Sequence, residues 1–135
     1  LVGGIGIQHD TLADAISLIK NAEKAGKPEC IVKPSSKLVG RIMKIMQENG
    51  YIGQFEHISD GKGGKFKVAL LGNINDCGII KPRHSVKKTE IEKFEYRYLP
   101  AQDFGILILT STKGVISNTM AKSLGVGGKL LAYIY

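Results

Sequence analysis

Cysteine is scarce in this chain of 135 residues: only Cys30 and Cys77 occur, far apart, without a Cys-x-x-Cys or a neighbouring histidine pair. That spacing argues against zinc, and both read as small buried apolar residues. Nothing in cysteine usage suggests an oxidising compartment. Long hydrophobic runs are also missing. The apolar stretch Leu1-Val-Gly-Gly-Ile-Gly-Ile7 has no charged start and reads as neither signal peptide nor membrane span, and no stretch reaches about 18 apolar residues. A cytoplasmic protein without a membrane partner is expected. His9, His57 and His84 have no Ser, Cys or carboxylate at a spacing that suggests a triad or metal cage, so neither catalytic nor metal residues are assigned and no cofactor is implied.

The most informative shortage is of negative charge. From Phe104 to Tyr135 there are three lysines (Lys113, Lys122 and Lys129) and no Asp or Glu. Within this region the apolar run Phe104-Gly-Ile-Leu-Ile-Leu109 leads into Thr110-Ser111-Thr112-Lys113-Gly114, and a second turn, Gly125-Val-Gly-Gly-Lys129, feeds a closing strand. Hydroxyl- and glycine-rich turns without carboxylates suit an anionic partner, met through backbone and side-chain donors. The same glycines also fit a helix stop and tight turn, and the same hydroxyls fit an ordinary strand end. The second turn is no nucleotide loop. Ser123 stands where the first glycine is required, Leu130 replaces the hydroxyl residue, and a strand follows instead of a helix.

What is present fits a folded, basic protein. Hydrophobic residues make up 43% and charged residues 23%, with a net charge of +7. Such an excess of cations favours nucleic acid or another polyanion. A small basic enzyme acting on nucleotides or nucleic acid is the alternative, although no nucleophile with a base, paired carboxylates or metal set supports it.

Leu12, Ala15, Ile16, Ile19 and Ala22 recur at helical spacing after a cap at Asp10 or Thr11, and Gly26 stops that helix. Glu29 to Lys33 reads as a strand. Pro34-Ser35-Ser36 caps a second helix with an apolar stripe of Leu38, Val39, Ile42, Met43 and Met46, ended by Asn49-Gly50. Two strands, Tyr51 to Ile58 and Lys65 to Leu71, follow around Ser59-Asp-Gly-Lys-Gly-Gly64, the second with one wet face. A three-stranded sheet with both helices on one face is the economical packing. The polar connection Gly72 to Gly78 places a lobe boundary near residue 75, giving lobes 1–75 and 76–135. Ile79-Ile80 begins a new strand. Lys88 to Tyr98 reads as either strand or helix. Phe104 to Leu109 is a strand buried on both faces, paired with Lys129 to Tyr135, and Ser117 caps a short helix from Asn118 to Leu124. The fold class is α+β.

Several ordered segments carry a more specific signal. They are Asp10-Thr-Leu-Ala-Asp-Ala15, Asn21-Ala22-Glu23, Ile31-Val-Lys-Pro-Ser-Ser-Lys-Leu38, Asn49-Gly-Tyr-Ile-Gly53 and Lys81-Pro-Arg83. Phe104-Gly-Ile-Leu-Ile-Leu-Thr-Ser-Thr-Lys-Gly-Val-Ile116 and Gly127-Gly-Lys-Leu-Leu-Ala-Tyr133 complete the set. Together, over residues 9–135, they resemble the small-subunit ribosomal protein S-eight family, called S-fifteen-a in eukaryotes. Tyr98-Leu-Pro-Ala-Gln-Asp-Phe-Gly105 looks like its archaeal and eukaryotic branch.

The resemblance implies a non-enzymatic two-lobe protein that binds the central domain of small-subunit ribosomal RNA, beside neighbouring ribosomal proteins. The family's Ser-Thr-Ser-x-Gly segment maps onto Thr110, Ser111, Thr112 and Gly114, with the hydroxyl types exchanged. Its paired glycines map onto Gly127 and Gly128, where missing side chains are expected to let RNA backbone approach. With these go Lys113 and Lys129. Independently of the resemblance, Lys20, Asn21, Lys33, Ser35, Ser36, Lys37 and Arg41 are expected to cluster where the first helix, first strand and second helix approach each other, and to meet phosphates and riboses. Arg83 belongs to a basic stretch that joins them. Two departures stand out. The short helix after the hydroxyl turn lacks the family's acidic residues and arginine, so salt bridges made by those groups are absent. The start Leu1 to Gln8 is longer and more apolar than usual.

Overall fold

The computed structural model describes residues 11–32, 37–59, 64–81, 83–101 and 104–135. The expected caps at Asp10 and at Pro34 to Ser36 lie outside them, as do site residues Lys33, Ser35 and Ser36.

Helix α1 (Thr11–Lys24) buries Leu12, Ala15, Ile16, Ile19 and Ala22, the stripe read from its spacing. It ends at Gly26, whose φ of 71° suits a residue without Cβ, while the Lys27 N–H reaches back to the Ala22 carbonyl at 3.0 Å. Strand β1 (Glu29–Val32) follows, then helix α2 (Lys37–Glu48), then strands β2 (Ile52–Ile58) and β3 (Lys65–Leu70). The sheet order is β1-β3-β2, all antiparallel. The central strand β3 turns Phe66, Val68 and Leu70 toward the helices.

The second half builds a larger antiparallel sheet from β4 (Cys77–Ile79), β5 (Ser85–Val86), β6 (Ile106–Ser111), β7 (Gly114–Ser117) and β8 (Gly128–Ile134). Its order is β4-β8-β6-β7, with β5 also pairing β8. Two helices, α3 (Ile91–Tyr98, after a 3-10 turn at Lys88–Glu90) and α4 (Asn118–Leu124), cover one face. The ambiguity over residues 88–98 is thus settled as helix. Ile91 and Phe94 are buried a turn apart, and the polar residues between them face outward.

Burial of Ile106 to Leu109 on both faces of β6 has a direct cause: this strand lies between two apolar clusters. Ile106 and Ile108, with Leu131, Ala132 and Ile134 of β8, join the cluster built on α1, α2 and the first sheet. Leu107 and Leu109 join Leu130, Ile91, Phe94 and Ala121 beneath α3 and α4. Fully burying such side chains stabilises the fold by roughly 1.5–3 kcal/mol each. The second sheet is therefore held from both sides, and its β6–β7 end is anchored.

Candidate nucleic-acid interface

Strands β6 and β7 form a tight hairpin in which Ser111 pairs with Gly114 and Thr110 with Val115. Thr112 and Lys113 make its turn, and Gly114 leaves it at a φ of 99°, a conformation that L side chains rarely adopt. The sequence marks this segment as a turn; strand β7 beyond it was not anticipated. Its signal is only Gly-Val-Ile-Ser, too short to show alternation.

Ser111 shapes this turn from within. Its hydroxyl donates to the Gly114 carbonyl at 3.1 Å and accepts the Lys113 N–H at 3.0 Å. Thr112 and Lys113 are left exposed at the tip. On the other side of β6, strand β8 pairs Lys129 with Thr110, and β5 pairs Ser85 with Lys129 and Val86 with Gly128. The three strands thereby enclose an open concavity of about 470 Å³, to which β6 and its turn contribute Thr110, Ser111 and Thr112. The entry to β8 contributes Gly127, Gly128 and Lys129 in the middle, and β5 contributes Ser85 and Val86 on the side away from β6. Among the described residues, no carboxylate lines it.

The two glycines have a structural reason beyond ligand access. A Cβ on Gly127 would strike the Val86 carbonyl, and one on Gly128 would strike the Thr110 carbonyl. The room their missing side chains leave is first used by the chain's own backbone, which lets β8 start between β5 and β6. The concavity owes its shape to that close approach.

Behind the hairpin, α4 is fixed by a polar network. The Ser117 hydroxyl accepts the Met120 N–H at 3.2 Å and caps the helix. Asn118, only 4% exposed, accepts the Leu107 N–H at 3.1 Å through Oδ1 and donates to the Glu95 carboxylate through Nδ2. Lys122 completes the set with a 2.9 Å salt bridge to Glu95. The helix that lacks the family's charged groups therefore does carry a salt bridge, made by its lysine with a carboxylate from α3. Asn118 was missed by sequence reading, because a buried asparagine leaves no pattern. Lys122 being neutralised, Lys113 and Lys129 are the cations of this region that have no carboxylate partner among the described residues.

The N-terminal candidates divide. Lys37 and Arg41 are exposed on α2, four residues apart and hence on one face. Asn21 is exposed on α1. Lys20 is engaged: its ammonium lies 2.9 Å from the Asp76 carboxylate, which ties α1 to the segment entering β4. That pairing raises the Lys20 pKa and holds the Asp76 carboxyl below its ordinary value, the shared hydrogen bond being the largest cause of each. Arg83 is exposed between β4 and β5, two residues before Ser85 of the concavity. Cys77 is fully buried, and burial pushes its thiol up to about 12, so it carries no thiolate chemistry at neutral pH.

A family model described as Ribosomal protein S8 matches residues 10–135. The chain is 57% identical over 129 residues to proteins named small ribosomal subunit protein uS8 from Thermoplasma acidophilum, Thermoplasma volcanium and Picrophilus torridus. Each alignment covers 96% of this chain and 100% of the relative. On this match, which takes in both sheets and every strand of the concavity, the chain belongs to the ribosomal protein S8 family.

Proposed function

We propose that this chain is a structural constituent of the small ribosomal subunit and binds the central domain of its RNA, with neighbouring ribosomal proteins around it. The observation that carries this reading is the carboxylate-free concavity between β5, β6 and β8, flanked by Lys113 and Lys129. Its hydroxyls and backbone groups can meet riboses, phosphates and base edges presented by an irregular RNA helix. A regular A-form major groove is too narrow to be read this way.

The two lobes, 1–75 and 76–135, divide the work. The C-terminal lobe supplies shape and base-edge recognition through Thr110 to Gly114 and Gly127 to Lys129. The N-terminal lobe adds phosphate and ribose contacts through Asn21, Lys37 and Arg41, with Lys33, Ser35 and Ser36 assigned to the same role. Lys20, assigned to the same role, would meet phosphate only by giving up its salt bridge to Asp76.

Filter binding of the purified chain to separate transcripts of each small-subunit RNA domain tests this assignment. The central-domain transcript is expected to bind tightest and to keep its lead when unrelated RNA is added in excess. Equal affinity for every domain transcript refutes site-specific recognition.

A further inference from the structure

We infer that the outer flank of α3, formed by Lys93, Tyr96 and Arg97, is a second RNA-binding surface that continues the concavity across β5. The inference rests on the RNA-binding reading of the hairpin and extends it to a surface with no assigned role.

Charge on α3 is segregated around the helix. Successive residues advance by about 100°, so Glu95 and the pair Lys93 and Arg97 project from nearly opposite flanks. Glu95 turns toward α4 and is held there by Asn118 and Lys122. Glu92 lines the recess on that same side, with Glu95 and Lys122, and Tyr96 stands at the border between this recess and the cationic flank. Glu90 is occupied as well, accepting the Lys87 N–H at 2.9 Å. Lys93 and Arg97 remain exposed on the far flank and have no carboxylate partner among the described residues. With Phe94 and Tyr96 they line a concavity of about 400 Å³. Arg97 lies over the Phe94 ring at 6.0 Å, and Tyr96, the most exposed large hydrophobic side chain among the described residues, is 76% accessible.

This flank adjoins the strand that borders the hairpin concavity. The His84 ring lies 5.4 Å from that of Phe94, while the His84 carbonyl accepts the Leu130 N–H of β8 at 2.9 Å. The next residue, Ser85, is already in the first concavity. Arg83, Lys87 and Lys88, all exposed, add positive charge to the same connection. Two cations one helical turn apart, beside an exposed ring, match a polynucleotide strand: phosphates on Lys93 and Arg97, a base stacked on Tyr96. A protein partner is less well matched, because the cations adjoin a concavity lined by no carboxylate among the described residues.

The test is filter binding of small-subunit RNA transcript across a salt series, using the double variant Lys93→Gln with Arg97→Gln, Tyr96→Ala, and Lys129→Gln at the hairpin. All four side chains are exposed, and far-UV circular dichroism with thermal melts is the control for folding. The double variant is expected to bind roughly tenfold more weakly and to lower the salt slope by about two, one for each phosphate no longer neutralised. Tyr96→Ala is expected to weaken binding with the slope unchanged. Wild-type affinity and slope in the double variant, with Lys129→Gln weakened, overturn the α3 surface and leave the hairpin reading intact. Weakening at α3 with none at Lys129→Gln supports the α3 surface and overturns the hairpin assignment instead. Normal RNA binding by the double variant combined with failure to enter reconstituted subunits marks a protein-docking face, and also overturns the inference.

Discussion

The Ser111 hydroxyl works inside its own turn. Both directions of its hydrogen bonding are committed to Lys113 and Gly114, so it sets the turn that presents Thr112 and Lys113. Losing one such bond costs about 1 kcal/mol of stability. Ser111→Ala is therefore expected to lower the melting temperature slightly and to reduce affinity for cognate RNA more than for unrelated RNA. Ser111→Thr keeps the hydroxyl and is expected to restore discrimination. Cognate discrimination untouched in Ser111→Ala, measured by competition binding, contradicts this role. Gly127 and Gly128 hold a comparable position. Sequence resemblance pointed to them as gaps for RNA, whereas packing shows that the protein's own carbonyls already use those gaps.

At the scale of elements, the parts with strong local signals were legible. The stripe of α1, the stop at Gly26, the cap at Ser117 and the apolar run of β6 each carry a local cause that acts regardless of the rest of the chain. Helix α3 was ambiguous because its polar sequence offers few apolar anchors, Ile91, Phe94 and Tyr98, with Leu99 just beyond its end. Its helical form is completed by tertiary partners, His84 against Phe94 and Glu95 against Asn118. Side-chain pairings of this kind, far apart along the chain, were not legible at all. Asn118→Ala tests the one that anchors the hairpin: it leaves the buried Leu107 N–H without its acceptor and is expected to cost about 1–3 kcal/mol in denaturant unfolding. A second pairing, Lys20 with Asp76, has a pH signature. Because the folded-state pKa of Asp76 lies below its unfolded value, the stability it contributes is present above the unfolded value and is lost as pH falls through the folded one. Asp76→Asn is thus expected to be less stable than wild type at neutral pH, with a difference that shrinks in acid. A difference independent of pH contradicts the pairing.

The whole molecule combines two kinds of surface over one shared core cluster. Buried side chains run from α1 and α2 through to Ile134, so the exposed cations of α2 and the hairpin of β6 and β7 are held by the same cluster. A net charge of +7 supplies general attraction to a polyanion, which predicts binding that weakens steeply with salt. If Lys37 meets phosphate as proposed, Lys37→Gln is expected to weaken all RNAs about equally and to make the salt slope shallower by roughly one. A selective loss for cognate RNA argues instead for base recognition by α2. The central claim, that the hairpin and its concavity dock on folded RNA, is tested most directly by local cleavage from the hairpin tip. Both native cysteines are buried, so Lys113→Cys offers a single exposed thiol for a tethered hydroxyl-radical source. In complexes with small-subunit RNA, cleavage is expected in one compact cluster of nucleotides within the central domain. Cleavage scattered over the RNA, or none at all while the complex remains intact, contradicts the account.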